Sequence, residues 1–155
     1  MNLENHYQNA YVTRDLDGAL EIFRARYGFD KFRRMEVSYE LTTRAGGRGT
    51  ASVKLALGWI GNVQYELIEP VSGLIDVYQE GPSDESPMRF HHACMRVPDW
   101  AEFRARVDEE KFPVAMEGGT PGHLLWLYLD ARDTLGHYLE YCWMTHERWT
   151  MIRGL

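Results

Sequence analysis

Apolar and polar positions recur along the chain in two series of the same order. In the first, an apolar run at 7–12 precedes apolar residues at helical spacing, which are Leu16, Ala19, Leu20, Phe23 and Tyr27. Asp15 is a natural N-cap for this helix, and Gly28 is a natural stop. Three segments at 32–39, 53–59 and 63–69 follow, and they are predicted to be strands. The first series thus predicts one strand, one helix and three strands.

The second series begins with an apolar strand at 90–97 and a helix capped by Asp99. A short strand at 114–117, a turn at Gly118 and Gly119, strands at 124–130 and 138–143 and a terminal helix at 145–152 are predicted next. Between the series, 70–79 has room for one or two helical turns, and the breaker-rich 81–87 is typical of a linker. We therefore predict an α+β fold in which two βαβββ modules form curved mixed sheets around a central cleft. The expected single domain divides into module one (about 5–70), a linker (about 71–88), module two (about 89–144) and a tail (145–155).

The two series align on their helix caps. Asp15 and Asp99 are 84 positions apart, and the same offset aligns Gln8 with His92 on the first strand of each series. The last strands align at an offset of 74, which pairs Glu66 with Glu140. Both ends of each series therefore carry a polar residue at a matched strand position.

These polar residues need a partner if they point into a core. A carboxylate on a sheet face away from water costs several kcal/mol unless it is paired or bound to a cation. Two converging carboxylates would also repel each other, and one divalent cation removes both problems. The neighbouring residues leave alternatives open: His6 competes with Gln8, His91 competes with His92, and Glu69 is a second acid near Glu66.

Composition narrows the function. The 155 residues carry a net charge of −6 and contain no long basic run, so we expect no nucleic-acid partner. No apolar run has the ~18 residues of a membrane helix, and the first residues lack a signal-peptide pattern, so we expect a cytoplasmic location without membrane contact. Cys94 and Cys142 lack metal-site or disulfide spacing and are expected to be reduced thiols. Phosphate-loop, Rossmann and serine-hydrolase motifs are absent from the sequence.

Four segments together resemble a known family. They lie at 11–19, 63–70, 90–97 and 136–140, and in this order they resemble the vicinal oxygen chelate superfamily. That superfamily includes glyoxalase I, methylmalonyl-CoA epimerase, extradiol dioxygenases and bleomycin-resistance proteins, which are built from paired βαβββ modules. The resemblance covers roughly residues 7–144.

The resemblance implies a metal centre. By position, its ligands are Gln8, Glu66, His92 and Glu140, a mixed oxygen and nitrogen set suited to Zn, Ni, Co or Mn. The implied activity is that of a metal-dependent isomerase, epimerase or lyase. It would take the α-proton from a small carbonyl compound and stabilise an enediolate, with Glu140 first and Glu66 second as the base.

Two other functions occur in the same superfamily. One is metal-free sequestration of a small molecule, as in bleomycin-resistance proteins. The other is extradiol ring cleavage, which is disfavoured because the dioxygenase pattern requires His at the position of Gln8. The resemblance also implies a homodimer, with 145–155 as a candidate contact.

Overall fold

The computed structural model describes residues 2–45, 47–79 and 86–154. Its elements in chain order are β1 (His6–Thr13), α1 (Leu16–Tyr27), β2 (Arg33–Thr43), β3 (Gly47–Ile60), β4 (Val63–Gly73), a 3₁₀ turn (Asp76–Tyr78), β5 (Met88–Arg96), α2 (Trp100–Glu109), β6 (Val114–Thr120), β7 (Leu124–Ala131), β8 (His137–Met144) and α3 (His146–Arg153). The order βαβββ thus occurs twice, before the terminal helix. None of the described helices has the length and apolar character needed to cross a membrane.

The eight strands close into a barrel with the order β1-β4-β3-β2-β6-β7-β8-β5. β1 runs parallel to β4 and β5 parallel to β8, whereas the other pairs are antiparallel. The two halves join at β1–β5 and through a short β2–β6 pairing, where Leu41 faces Gly118 and Thr43 faces Met116. The predicted α+β fold with two βαβββ modules and curved mixed sheets is therefore confirmed.

Both long helices begin at the predicted caps. Asp15 Oδ1 accepts from the Gly18 amide at 3.0 Å, and Asp99 Oδ1 accepts from the Glu102 amide at 3.0 Å. α1 ends at Gly28, whose φ of 66° lies in the left-handed region that favours glycine. The helices pack on the outside of the barrel: α1 buries Leu16, Ala19 and Phe23, and α2 buries Phe103 and Val107. The barrel interior is thereby left to the inward faces of the strands.

The predicted turn at Gly118 and Gly119 is wrong, because both residues lie within β6. The chain turns instead between β6 and β7, after Thr120. A Cβ on Gly118 would lie 2.5 Å from the Trp126 ring and 3.0 Å from the Glu40 carbonyl oxygen. Gly118 thus permits a close approach of neighbouring strands rather than a reversal of the chain.

Two segments outside the strands fill the barrel ends. The terminal helix α3 was predicted from the sequence, and its Trp149 contacts the Tyr7 ring near the start of β1. Further along the barrel, the predicted helical turn in the linker is present as the 3₁₀ turn, which buries Val77 and Tyr78. Residues 80–85, which include most of the predicted linker at 81–87, lie outside the described residues. Val77, Tyr78 and Ile152 all belong to the buried cluster of the barrel.

Candidate metal centre

Three of the four predicted ligand residues meet inside the barrel. Glu66 on β4, His92 on β5 and Glu140 on β8 each offer a ligand atom, and these atoms lie within 4.8 Å of one another. His92 Nε2 lies 3.0 Å from Glu140 Oε2 and 3.5 Å from Glu66 Oε2. The centre thus combines one side chain from the first βαβββ unit with two from the second.

Strand register explains this meeting. Glu66 is paired with Ala10 on β1, and Ala10 is paired with His92 on β5, so these three residues form one row across the barrel wall. Ala10, which lies between Glu66 and His92 in this row, has only a methyl side chain, and His92 Nε2 reaches to within 3.5 Å of Glu66 Oε2. Glu140 belongs to the adjacent row through its pairing with Cys94, which in turn is paired with Gln8.

Gln8 lies in the same row as Glu140, but its amide has another partner. It is buried, and its Nε2 donates to Gln64 Oε1 at 2.8 Å. This bond leaves the Gln8 carbonyl oxygen as the atom available for a cation. The Nε2 of Gln64 is buried without a hydrogen-bond partner among the described residues. The role of Gln8 as the fourth ligand stays a prediction.

A β-bulge brings two consecutive histidines into the interior. Ala10 pairs with His92 and Tyr11 with Phe90, so His91 is an extra residue on β5. Strict alternation predicts that only one histidine of the pair points inward, but His91 and His92 are 1% and 0% exposed. His91 Nε2 lies 2.9 Å from the Val77 carbonyl oxygen, and its Nδ1 lies 2.9 Å from His92 Nδ1. Because both ring nitrogens of His91 have partners, His92 is the histidine that faces the carboxylates.

The other sequence alternatives lie away from the centre. His6 is exposed, and its Nε2 is 2.9 Å from Asn9 Oδ1. Glu69 binds the Leu16 amide at 2.8 Å and Lys54 Nζ at 2.7 Å, so it anchors the start of α1. Neither residue competes with the predicted set in this structure.

Burial and charge set opposing preferences at the centre. Burial lowers the pKa of His92, but the carboxylates of Glu140 and Glu66 outweigh this effect and raise it to about 9. Burial raises the pKa of Glu66, whereas contact with His92 lowers it, and burial has the larger effect. Without a cation, the His92 proton therefore compensates the carboxylates.

The residues present fit a divalent cation. His92 Nε2 is close to two carboxylate oxygens. Within the described part of the chain, however, it does not form a well-aligned hydrogen bond. An imidazole nitrogen directed between two carboxylates matches the donor set of Zn²⁺ and similar ions. Two carboxylates also balance the double positive charge.

Three tyrosines lie beside the centre, and the sequence analysis did not identify them. The Tyr128 ring centroid lies 4.7 Å from that of His92, and the Tyr39 and Tyr78 hydroxyls are 2.9 Å apart. Burial raises the pKa of Tyr39 to about 12 and raises the pKa values of Tyr78 and Tyr128 well above the usual range. All three phenols are consequently neutral at pH 7 and can donate hydrogen bonds. Tyr39 lies on β2 and Tyr128 on β7, whereas Tyr78 lies in the linker. In the linker no strand periodicity predicts which way a side chain points.

Cys94 and Cys142 are free thiols and are fully buried, and their sulfur atoms are 3.7 Å apart. Burial raises the pKa of Cys94 well above its usual range, so this thiol is protonated at pH 7. Cys94 is paired with Glu140 across β5 and β8, but neither cysteine belongs to the cluster of ligand atoms found among the described residues.

Solved structures with this fold include methylmalonyl-CoA epimerases. A variant of the Streptomyces coelicolor enzyme in complex with 2-nitronate-propionyl-CoA is 17% identical, with a TM-score of 0.61 over 94% of this chain and 97% of that chain. The Mycobacterium tuberculosis enzyme is 14% identical, with a TM-score of 0.57 over 97% and 96%. A hypothetical protein from Bacillus halodurans is 17% identical, with a TM-score of 0.60 over 91% and 94%. At these identities the likeness shows the fold alone.

No curated protein matches the chain significantly. The sequence does, however, match a family model over most of its length. The model of the glyoxalase/bleomycin resistance protein/dioxygenase superfamily matches residues 7–128, which is well over half of the chain. The matched range includes Gln8, Glu66 and His92, while Glu140 lies beyond it. The chain therefore belongs to the glyoxalase/bleomycin resistance protein/dioxygenase superfamily.

Proposed function

We propose that this protein is a metal-dependent isomerase or epimerase that removes a proton from the carbon next to a carbonyl group. The convergence of Glu66, His92 and Glu140 from both halves of the barrel carries this proposal. These residues and Gln8 would hold Zn²⁺, Ni²⁺, Co²⁺ or Mn²⁺. Such an ion supplies Lewis acidity, which makes the neighbouring C–H bond more acidic. Lyase chemistry can begin with the same proton transfer.

Glu140 is the first candidate for the general base, and Glu66 is the second. Both side chains are only slightly exposed, at 14% and 13%, so little water competes for their oxygens. Glu140 is paired across the sheet with Tyr128 and acts electrostatically on Tyr128, Tyr7 and Cys94. A positioned general base contributes a factor of about 10²–10⁴ to such reactions.

The tyrosines define what a substrate would meet. Neutral hydroxyls of Tyr39, Tyr78 and Tyr128 would be available to donate hydrogen bonds to substrate oxygens. Donors of this kind suit the oxygen atoms of a small carbonyl compound. The solved methylmalonyl-CoA epimerase complexes contain CoA compounds, so acyl thioesters belong among the compounds to be tested.

Metal content and proton exchange test the proposal together. Metal-free protein is loaded separately with each of the four ions and desalted, and bound metal is measured by plasma mass spectrometry. Each loaded form is then incubated in D₂O with methylmalonyl-CoA, the glutathione hemithioacetal of methylglyoxal and a simple α-hydroxy ketone. We expect about one ion per chain and deuterium at the α-carbon of at least one compound, only in the loaded protein.

Two results would contradict this function. Failure to retain any of the ions after loading would favour the metal-free binding protein, and exchange that is unaffected by metal removal would exclude metal dependence. Loading with Fe(II) under anaerobic conditions, followed by catechol and oxygen, examines the dioxygenase alternative. We expect no ring cleavage.

We also propose a cytoplasmic homodimer in which α3 is part of the contact. Met151 on this helix is 53% exposed, so its apolar side chain is available for such a contact. Sedimentation velocity of the purified chain measures the mass in solution. Replacement of Met151 by Glu is expected to shift a dimer towards monomer.

A further inference from the structure

His91 connects the linker to the candidate metal centre. Its Nε2 lies 2.9 Å from the carbonyl oxygen of Val77, and its Nδ1 lies 2.9 Å from Nδ1 of His92. The opposite nitrogen of His92, Nε2, faces Glu140 and Glu66. A continuous series of polar contacts thus runs from the linker backbone through two imidazole rings to the carboxylates.

The positions of the protons in this series follow from the donors and acceptors. A carbonyl oxygen only accepts, so the Val77 contact requires a hydrogen on Nε2 of His91. A cation at Nε2 of His92 requires that nitrogen to be bare, so the remaining hydrogen of His92 is on Nδ1. Two nitrogens 2.9 Å apart share one hydrogen, and Nδ1 of His91 must therefore be the acceptor. Only one arrangement satisfies all three requirements.

The surrounding side chains hold the His91 ring in place. Its centroid lies 5.1 Å from the Tyr78 ring, 5.8 Å from the Tyr128 ring and 4.9 Å from the Tyr138 ring. The ring is 1% exposed, so water does not compete for either nitrogen. Rotation of His91 would break the contacts with Val77 and His92 at the same time.

We propose that His91 is a positioning residue for the metal centre: it accepts the Nδ1 hydrogen of His92 and thereby directs the bare Nε2 of His92 towards the two carboxylates. This inference rests on the proposed function for its metal and assigns a role to a residue that is not itself a ligand. Hydrogen bonds to the far nitrogen of a ligating histidine typically change metal affinity 10–100-fold. The bulge on β5 therefore has a use, since it brings the acceptor beside the ligand.

Two substitutions separate this role from simple packing. His91→Phe keeps an aromatic ring among the tyrosines and removes both nitrogens, whereas the Oδ1 of His91→Asn can replace Nδ1 as the acceptor. We expect His91→Phe to weaken Zn²⁺ binding at least tenfold, in competition with a chromophoric chelator, and His91→Asn to recover most of the affinity. Circular dichroism and thermal unfolding of the metal-free variants serve as the control for folding.

Nitrogen-15 spectra of the histidine side chains examine the proton positions directly, in wild-type protein with and without Zn²⁺. In both states we expect a bare Nδ1 and a protonated Nε2 on His91, and in the Zn²⁺ form a protonated Nδ1 on His92. A protonated Nδ1 on His91 would overturn the proposal, as would wild-type Zn²⁺ affinity in folded His91→Phe. If wild-type protein bound no ion, the proposed function would fail, while the metal-free spectrum would still decide the His91 arrangement.

Discussion

The first strands of the two halves each contain a bulge at the same place. Tyr7 on β1 and His91 on β5 are 84 positions apart, as the helix caps are, and each precedes a predicted ligand by one residue. Both side chains are buried, although the regular alternation of side chains along a strand would direct them to the outside of the barrel. Their contacts differ. The Tyr7 hydroxyl lies 3.2 Å from Cys142 Sγ and its ring contacts Trp149 of α3, whereas His91 contacts the linker and His92.

The difference shows that one backbone feature serves two purposes. In the first half the extra residue helps to fill the end of the barrel, and Gln64 on the adjacent strand holds the Gln8 amide. In the second half the extra residue itself holds His92. The repeated βαβββ order thus keeps the predicted ligands at matched positions, while the residues that contact them differ between the halves.

The largest expected effect is on α-proton exchange, and it distinguishes Glu140 of the second half from Glu66 of the first. Glu140→Gln keeps an oxygen ligand but removes the base, so we expect α-proton exchange to fall at least about 100-fold. Glu66→Gln is the matched variant and should reduce exchange less. Deuterium incorporation in D₂O measures both rates. If Glu66→Gln lost exchange and Glu140→Gln kept it, the base would belong to the first half.

The pH dependence of metal binding is the next largest effect. With a pKa of about 9, His92 is protonated at pH 7 in the metal-free protein, and a cation must displace that proton. Affinity should therefore rise roughly tenfold per pH unit from pH 7 to 9 and then level off. Gln8 of the first half does not titrate and contributes nothing to this slope. Chelator competition at several pH values measures it, and a flat profile would contradict the assignment.

The helix caps should behave alike in the two halves. Asp15→Ala and Asp99→Ala each remove a 3.0 Å bond to a backbone amide, so each should lower the free energy of unfolding by about 1 kcal/mol. Urea denaturation measures this change, and Asp15→Asn and Asp99→Asn are controls that retain an acceptor. Clearly unequal losses would show that the two helices do not contribute equally to stability.

The smallest expected effect comes from Tyr7→Phe. It removes a hydroxyl contact with thiols but retains the ring, so the free energy of unfolding should fall by less than about 1 kcal/mol. Zn²⁺ affinity should stay at the wild-type value, in contrast to His91→Phe. Chelator competition on the two variants, side by side, makes the comparison. A tenfold loss of affinity in Tyr7→Phe would assign both bulges the same role.

Part of the centre could be predicted because polar residues recur at matched strand positions in the two series. Gln8, Glu66, His92 and Glu140 are polar residues at matched positions in two similar series, and three of them meet in the structure. The tyrosines could not be found in this way, since they come from β2, β7 and the linker. Gly118 and Gly119 were misread because a glycine pair resembles a turn until the neighbouring Trp126 is known.

The order of strands and helices and both helix caps depend on residues within a few positions of one another, and the sequence by itself determined them. The candidate ligands were predicted by comparing the two series and from the family resemblance. The bulges, the closure of β2 on β6 and the insertion of Val77 and Tyr78 into the barrel were decided only by the tertiary structure. Each depends on register or packing between segments far apart in the chain, and such pairings leave no local periodicity. A single extra residue in a strand changes which side chains face inward, and for that reason the role of His91 became visible only in the folded chain.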